Sequence, residues 1–130
     1  MSDSPESVVR RFFAAFPRSD VGELAGFFSE DAVYIDGPRG THTGVEAIRA
    51  EFDSIVAIVP NTTVDIKSLG VCGDTVLVER VDNFDVGGKS IGMEVVAVID
   101  VDGHGRITRW RDYYDLPTLV EQVAASVSAE

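Results

Sequence analysis

The run from Thr75 to Val86, TVLVERVDNFDV, alternates with a period of two. Alternation of this kind sends successive side chains to opposite faces of a β-strand. One face carries Val76, Val78, Arg80, Asp82 and Phe84; the other carries Leu77, Glu79, Val81 and Asn83. The first face begins with two valines and ends with a phenylalanine, which reads as the inner wall of a sheet. Arg80 and Asp82, a cation and an anion on that wall, are therefore expected inside it. Gly73-Asp74 turns the chain before this strand, and Gly87-Gly88 is a hairpin turn after it.

The same period continues on both sides. Residues 62–71, 89–101 and 106–114 read as strands, so the second half is expected to be an antiparallel meander of four strands. Upstream the period is helical. Ser4, Pro5 and Glu6 supply an N-cap, a first-position proline and a first-turn acid. Val8, Val9, Phe12, Phe13 and Phe16 then share one helix face until Pro17 ends it. Asp20 caps a short second helix expected to carry Leu24, Phe27 and Phe28, and residues 32–36 form a short strand. GPRGTHTG follows as a loop. Residues 44–59 make a third helix, with Val45, Ile48, Phe52, Ile55, Val56 and Val59 on its apolar side. Residues 116–125 begin a short C-terminal helix at Pro117 and Thr118, and the final AASVSAE is expected to be a frayed tail. Helices followed by strands imply an α+β fold: a curved, mostly antiparallel sheet wrapped around three N-terminal helices, with a conical pocket between them.

A chain of 130 residues suits a single domain, 1–130, and no linker or repeat divides it. The net charge of −11 argues against nucleic acid and against anionic membrane surfaces. No apolar run approaches the roughly 20 residues that span a bilayer. The N-terminus shows no signal-peptide pattern, so a cytoplasmic protein is expected. Cys72 is the single cysteine; it makes no internal disulfide and is expected to be buried at the start of a strand. One cysteine and two histidines give no metal-ligand spacing, so neither a metal nor a cofactor is expected.

The last strand repeats the inward pattern, with Thr108, Trp110, Asp112 and Tyr114 on one face and Arg109, Arg111 and Tyr113 on the other. A carboxylate between Trp110 and Tyr114 is desolvated, which raises its pKa unless a cation offsets the cost. Arg80 is the available cation, and a guanidinium can hold two carboxylates in fixed geometry. Tyr34 and Asp36 share a face of the short strand. Val78, Phe84, Trp110 and Tyr114 are expected to line the pocket. Met93, Val95, Ala97 and Ile99, or the alternate set Val96 and Val98, would complete the lining. A buried Arg–Asp pair taken alone is most often structural. Convergence of Arg80, Asp82, Asp112 and Tyr34 on one cavity points to a functional site. Glu79 and Glu94 are expected to face outward.

At these residues the chain resembles the limonene-1,2-epoxide hydrolase family of the NTF2-like (SnoaL-like) superfamily. The resemblance is most specific in VERVD, residues 78–82, and WRDYYDL, residues 110–116. It implies an NTF2-like cone, a homodimer formed through the outer sheet face, and a cofactor-independent hydrolase. Its partners would be a small apolar epoxide and water. It also implies that Asp82 is the general acid, Arg80 the bridge and Asp112 the base, with Tyr34, together with Asp36, holding the water. The family usually has Asn where this chain has Asp36, a neutral donor–acceptor replaced by an acid. Other readings on the same fold are an epoxide-opening cyclase, a ketosteroid-isomerase-like enzyme using Asp36 as base, or a non-catalytic small-molecule-binding module.

Overall fold

The computed structural model describes residues 3–128. Helix α1 spans Pro5–Ala15. Ser4 caps it by accepting from the Ser7 amide at 3.1 Å, and Val8, Val9, Phe12 and Phe13 are buried along one side. A single 3₁₀ turn leads to the short helix α2, Val21–Ala25, capped by Asp20. Strand β1 is Phe28–Asp36, β2 is Gly40–Thr43, and helix α3 is Val45–Ile58. Strands β3 (Thr63–Cys72), β4 (Thr75–Val86), β5 (Lys89–Val101) and β6 (Ile107–Tyr113) follow. Helix α4, Leu116–Ser128, closes the described chain.

The six strands make one sheet in the order β2-β1-β6-β5-β4-β3. The meander from β3 to β6 is antiparallel throughout; β1 adds to β6 in parallel and pairs with β2 antiparallel. The α+β architecture expected from the sequence is the one found. Phe12, Phe28, Phe52 and Trp110 form the centre of the core between α1, α3 and the inner sheet face. Gly87 and Gly88 take φ of 59° and 79°, the left-handed pair that a tight hairpin turn needs. Glu79 and Glu94 face outward, where Leu77, Val96 and Tyr113 are also exposed. No helix among the described residues is long and apolar enough to cross a membrane.

Four expectations need correction. Phe27 and Phe28 leave the helix: α2 ends at Ala25, Phe27 accepts the Ile107 amide at 2.8 Å, and Phe28 starts a strand longer than 32–36. The segment expected as a loop contains β2; only His42 in it is sheltered, so an edge strand held by backbone pairing leaves no apolar signature. Cys72 is exposed, because it lies at the tip of the β3–β4 hairpin, beside the Gly73-Asp74 turn. Helix α4 extends through residues 124–128 of the expected tail; residues 129–130 lie outside the described residues. Ser126 caps no end here: its hydroxyl binds the Gln122 carbonyl at 2.9 Å, and its own carbonyl packs against Gly87.

Candidate active site

Strand register decides which side chains meet. One row across the sheet joins Val78, Ala97, Asp112 and Asp36, and the next joins Val76, Ile99, Trp110 and Tyr34. Cross-strand partners share a face, and so do residues two apart on one strand. Arg80, Asp82, Asp112, Trp110, Tyr34 and Asp36 therefore all belong to the inner face. Strand β5 lies between β4 and β6 and offers only the methyl of Ala97 in the Asp112 row, so the Arg80 side chain reaches past it.

Arg80 is 4% exposed and joins the two carboxylates. Its Nε donates to Asp82 Oδ1 at 2.8 Å and its Nη2 to Asp82 Oδ2 at 3.3 Å. Its Nη1 donates to Asp112 Oδ1 at 3.0 Å and its Nη2 to Asp112 Oδ2 at 3.1 Å. The Phe13 and Trp110 rings flank the cation, 5.0 and 5.8 Å from centroid to guanidinium carbon. Burial alone lowers a guanidinium's pKa; the charges of Asp112 and Asp82 overcome it and hold the group above its ordinary value.

The two acids are not equivalent. Asp112 also accepts from Trp110 Nε1 at 2.8 Å and from the Tyr34 hydroxyl at 3.4 Å. Among the described residues Asp82 has Arg80 alone. Burial pushes the Asp82 carboxyl above its ordinary 3.8; Arg80 opposes that, and the neighbouring Asp112 charge adds to it. The Tyr34 phenol is pushed well up, first by burial and then by Asp112 and Asp36, so it remains a proton donor. Among the described residues no buried side-chain polar atom lacks a partner.

Asp36 is 6% exposed, and its Oδ1 accepts from the Tyr114 hydroxyl at 2.7 Å. Arg39, half-exposed, approaches Oδ2 at 3.6 Å. Burial and then the Asp36 bond raise the Tyr114 phenol, so it too stays protonated. Gly37, with φ of 37°, joins these groups: a Cβ there would lie 2.6 Å from the Asp112 carbonyl oxygen and 3.3 Å from the Tyr114 ring. Only glycine permits both the turn and that close approach.

The expected lining residues divide. Val78 and Trp110 lie fully inside the core, beneath the carboxylates, and Val95 is buried beside Arg80 in register. Phe84, Met93 and Tyr114 are partly exposed. The inner set on β5 is Met93, Val95, Ala97 and Ile99; the alternate set, Val96 and Val98, belongs to the outer face, because the register pairs Val95 with Arg80. Trp110 is more than lining, since its indole N–H binds Asp112. Phe13, against Arg80, was not separable in sequence from the other apolar positions of α1. Arg39 carried no signal beyond a basic residue in a turn.

A mixed sheet curved over helices, with its polar cluster on the inner face, is an NTF2-like cone. The chain belongs to the SnoaL-like domain family, whose family model matches residues 9–110. It is 30% identical to epoxide hydrolase EphG of Mycobacterium tuberculosis over 115 residues, 83% of this chain and 71% of EphG. The solved structure of an M. tuberculosis LEH-like epoxide hydrolase superposes with a TM-score of 0.80 at 27% identity, covering 95% of this chain and 91% of that one. The epoxide hydrolase/cyclase-like enzyme SalBIII, at 21% identity, shares the fold with a TM-score of 0.78 over 87% of this chain and 92% of its own.

Proposed function

We propose that this chain is an epoxide hydrolase that adds water to a small apolar epoxide in one step, giving a vicinal diol. The observation that carries the reading is a single buried guanidinium shared by two carboxylates with unequal donor sets. Opening an epoxide needs a base to take a proton from water and an acid to give one to the ring oxygen. Two like acids fill these roles when their surroundings separate them. Asp82, raised by burial, is the proton carrier; Asp112, ringed by donors, is the base.

Asp112 already accepts four hydrogen bonds, which occupy its lone pairs. The Tyr34 contact is the longest at 3.4 Å, so a water enters there, between Tyr34 and Asp112. As Asp112 takes a proton from that water, the water oxygen forms a bond to an epoxide carbon. The ring C–O bond breaks, and Asp82 gives its proton to the leaving oxygen. Negative charge then passes from one end of the Arg80 fork to the other while the guanidinium stays in place, a preorganised form of stabilisation. No covalent ester forms, and the chemistry asks for no serine or histidine nucleophile. Kinship with EphG and the likeness to an LEH-like epoxide hydrolase support this reading.

General acid and base assistance are each worth about a thousandfold, so Asp112→Asn and Asp82→Asn should each lower diol formation by about that factor, with circular dichroism unchanged. Near-wild-type turnover by either variant would refute the assigned roles. Run in oxygen-18 water, the wild-type reaction should place the label in the diol. An unlabelled cyclic ether would instead identify an internal hydroxyl as the nucleophile.

A further inference from the structure

We propose that Tyr114 is a positioning residue that fixes Asp36 as an acceptor for the attacking water. The inference rests on the hydrolytic reading of the site and deepens it. Asp36 is the parallel-register partner of Asp112, so two acids stand side by side on adjacent strands. A buried carboxylate needs donors for its lone pairs. Tyr114 supplies one through a short 2.7 Å bond to Asp36, and the Arg39 guanidinium stands nearby at 3.6 Å. The turn at Gly37 brings Arg39 round to it and lets the backbone pass close to the Tyr114 ring.

Tyr114 spends its one hydroxyl proton on Asp36, which leaves it none for a substrate. Its effect on the reaction therefore passes through Asp36. A carboxylate oxygen of Asp36 can accept from a water. A water whose one proton points at Asp112 and whose other points at Asp36 has both protons engaged, and a lone pair is left free to attack carbon. Asp36 thus orients the nucleophile without itself taking a proton.

The test is a kinetic double-mutant cycle with a spectroscopic arm. Loss of the hydrogen bond to Asp36 should lower kcat of Tyr114→Phe about tenfold, with KM changed less than about twofold. In an Asp36→Ala background the same change should move kcat by less than about twofold, because the coupled partner is gone. Arg39→Gln should stay within about twofold of wild type, since its contact is long and half-exposed. The idea is overturned if Tyr114→Phe keeps kcat and raises KM, or if its loss is equal in both backgrounds. Independently of activity, carbon-13 tyrosine NMR should show the Tyr114 phenol moving down toward the ordinary tyrosine range in Asp36→Ala. No movement would show that the two groups are not coupled. A wild-type protein that forms no diol sinks the hydrolytic reading, while the phenol titration still decides the link between Tyr114 and Asp36.

Discussion

On the β6 side of Arg80, Asp112 collects donors from an arginine, an indole and a phenol; on the β4 side, Asp82 receives the arginine alone. The same cation touches both acids, so it cannot by itself tell them apart. The distinction comes from the strands that flank each one. Beside Asp112 the sheet supplies Tyr34 from β1 and Trp110 from its own strand. Beside Asp82 it supplies Val64 from β3 and Met93 from β5, which donate nothing. The difference teaches that neighbours, and not the shared partner, assign the roles of a carboxylate pair.

The strongest way to break this comparison is to remove what the two acids have in common. Arg80→Leu leaves two buried carboxylates without a cation and should cost about 3–5 kcal/mol of folding stability. A urea midpoint equal to wild type would mean that the bridge contributes nothing to the fold. A smaller change makes the two sides more alike. Trp110→Phe keeps a ring under Arg80 but removes the indole donor to Asp112, and should lower kcat about tenfold or more. Unchanged kcat would show that the indole does not support Asp112.

The smallest effect is in pH dependence. The Asp82 carboxyl is raised in the folded protein, mainly by burial. Its contribution is therefore fully present below its ordinary value of 3.8 and is lost as pH rises through the folded value. Urea midpoints measured upward from that range should fall more steeply for wild type than for Asp82→Asn. Identical slopes would remove the asymmetry between the two sides.

The sides also differed in how far the sequence disclosed them. Strands β4 and β5 could be bounded from glycine turns and alternation, and alternation alone turned Arg80, Asp82 and Asp112 inward. Their meeting depended on the order of strands and on a small residue, Ala97, in the strand between them. Alternation specifies a face, not a partner, so it could not show that Trp110 donates to Asp112 or that Tyr114 donates to Asp36. Strand β2 was hidden because GTHT has no apolar side to display. Cys72 was misplaced because strand pattern says nothing about how far a hairpin projects beyond the helices that cover it.

The one parallel pairing in the sheet has a consequence of its own. It sets Tyr34 against Trp110 and Asp36 against Asp112, so the motif aromatic–any–acid lies twice in the same direction, ring stacked on ring at 5.9 Å. Run in the opposite sense, the same two segments would oppose each ring to an acid. Deletion of Val33, just before this pair, would turn both Tyr34 and Asp36 away from the inner face together.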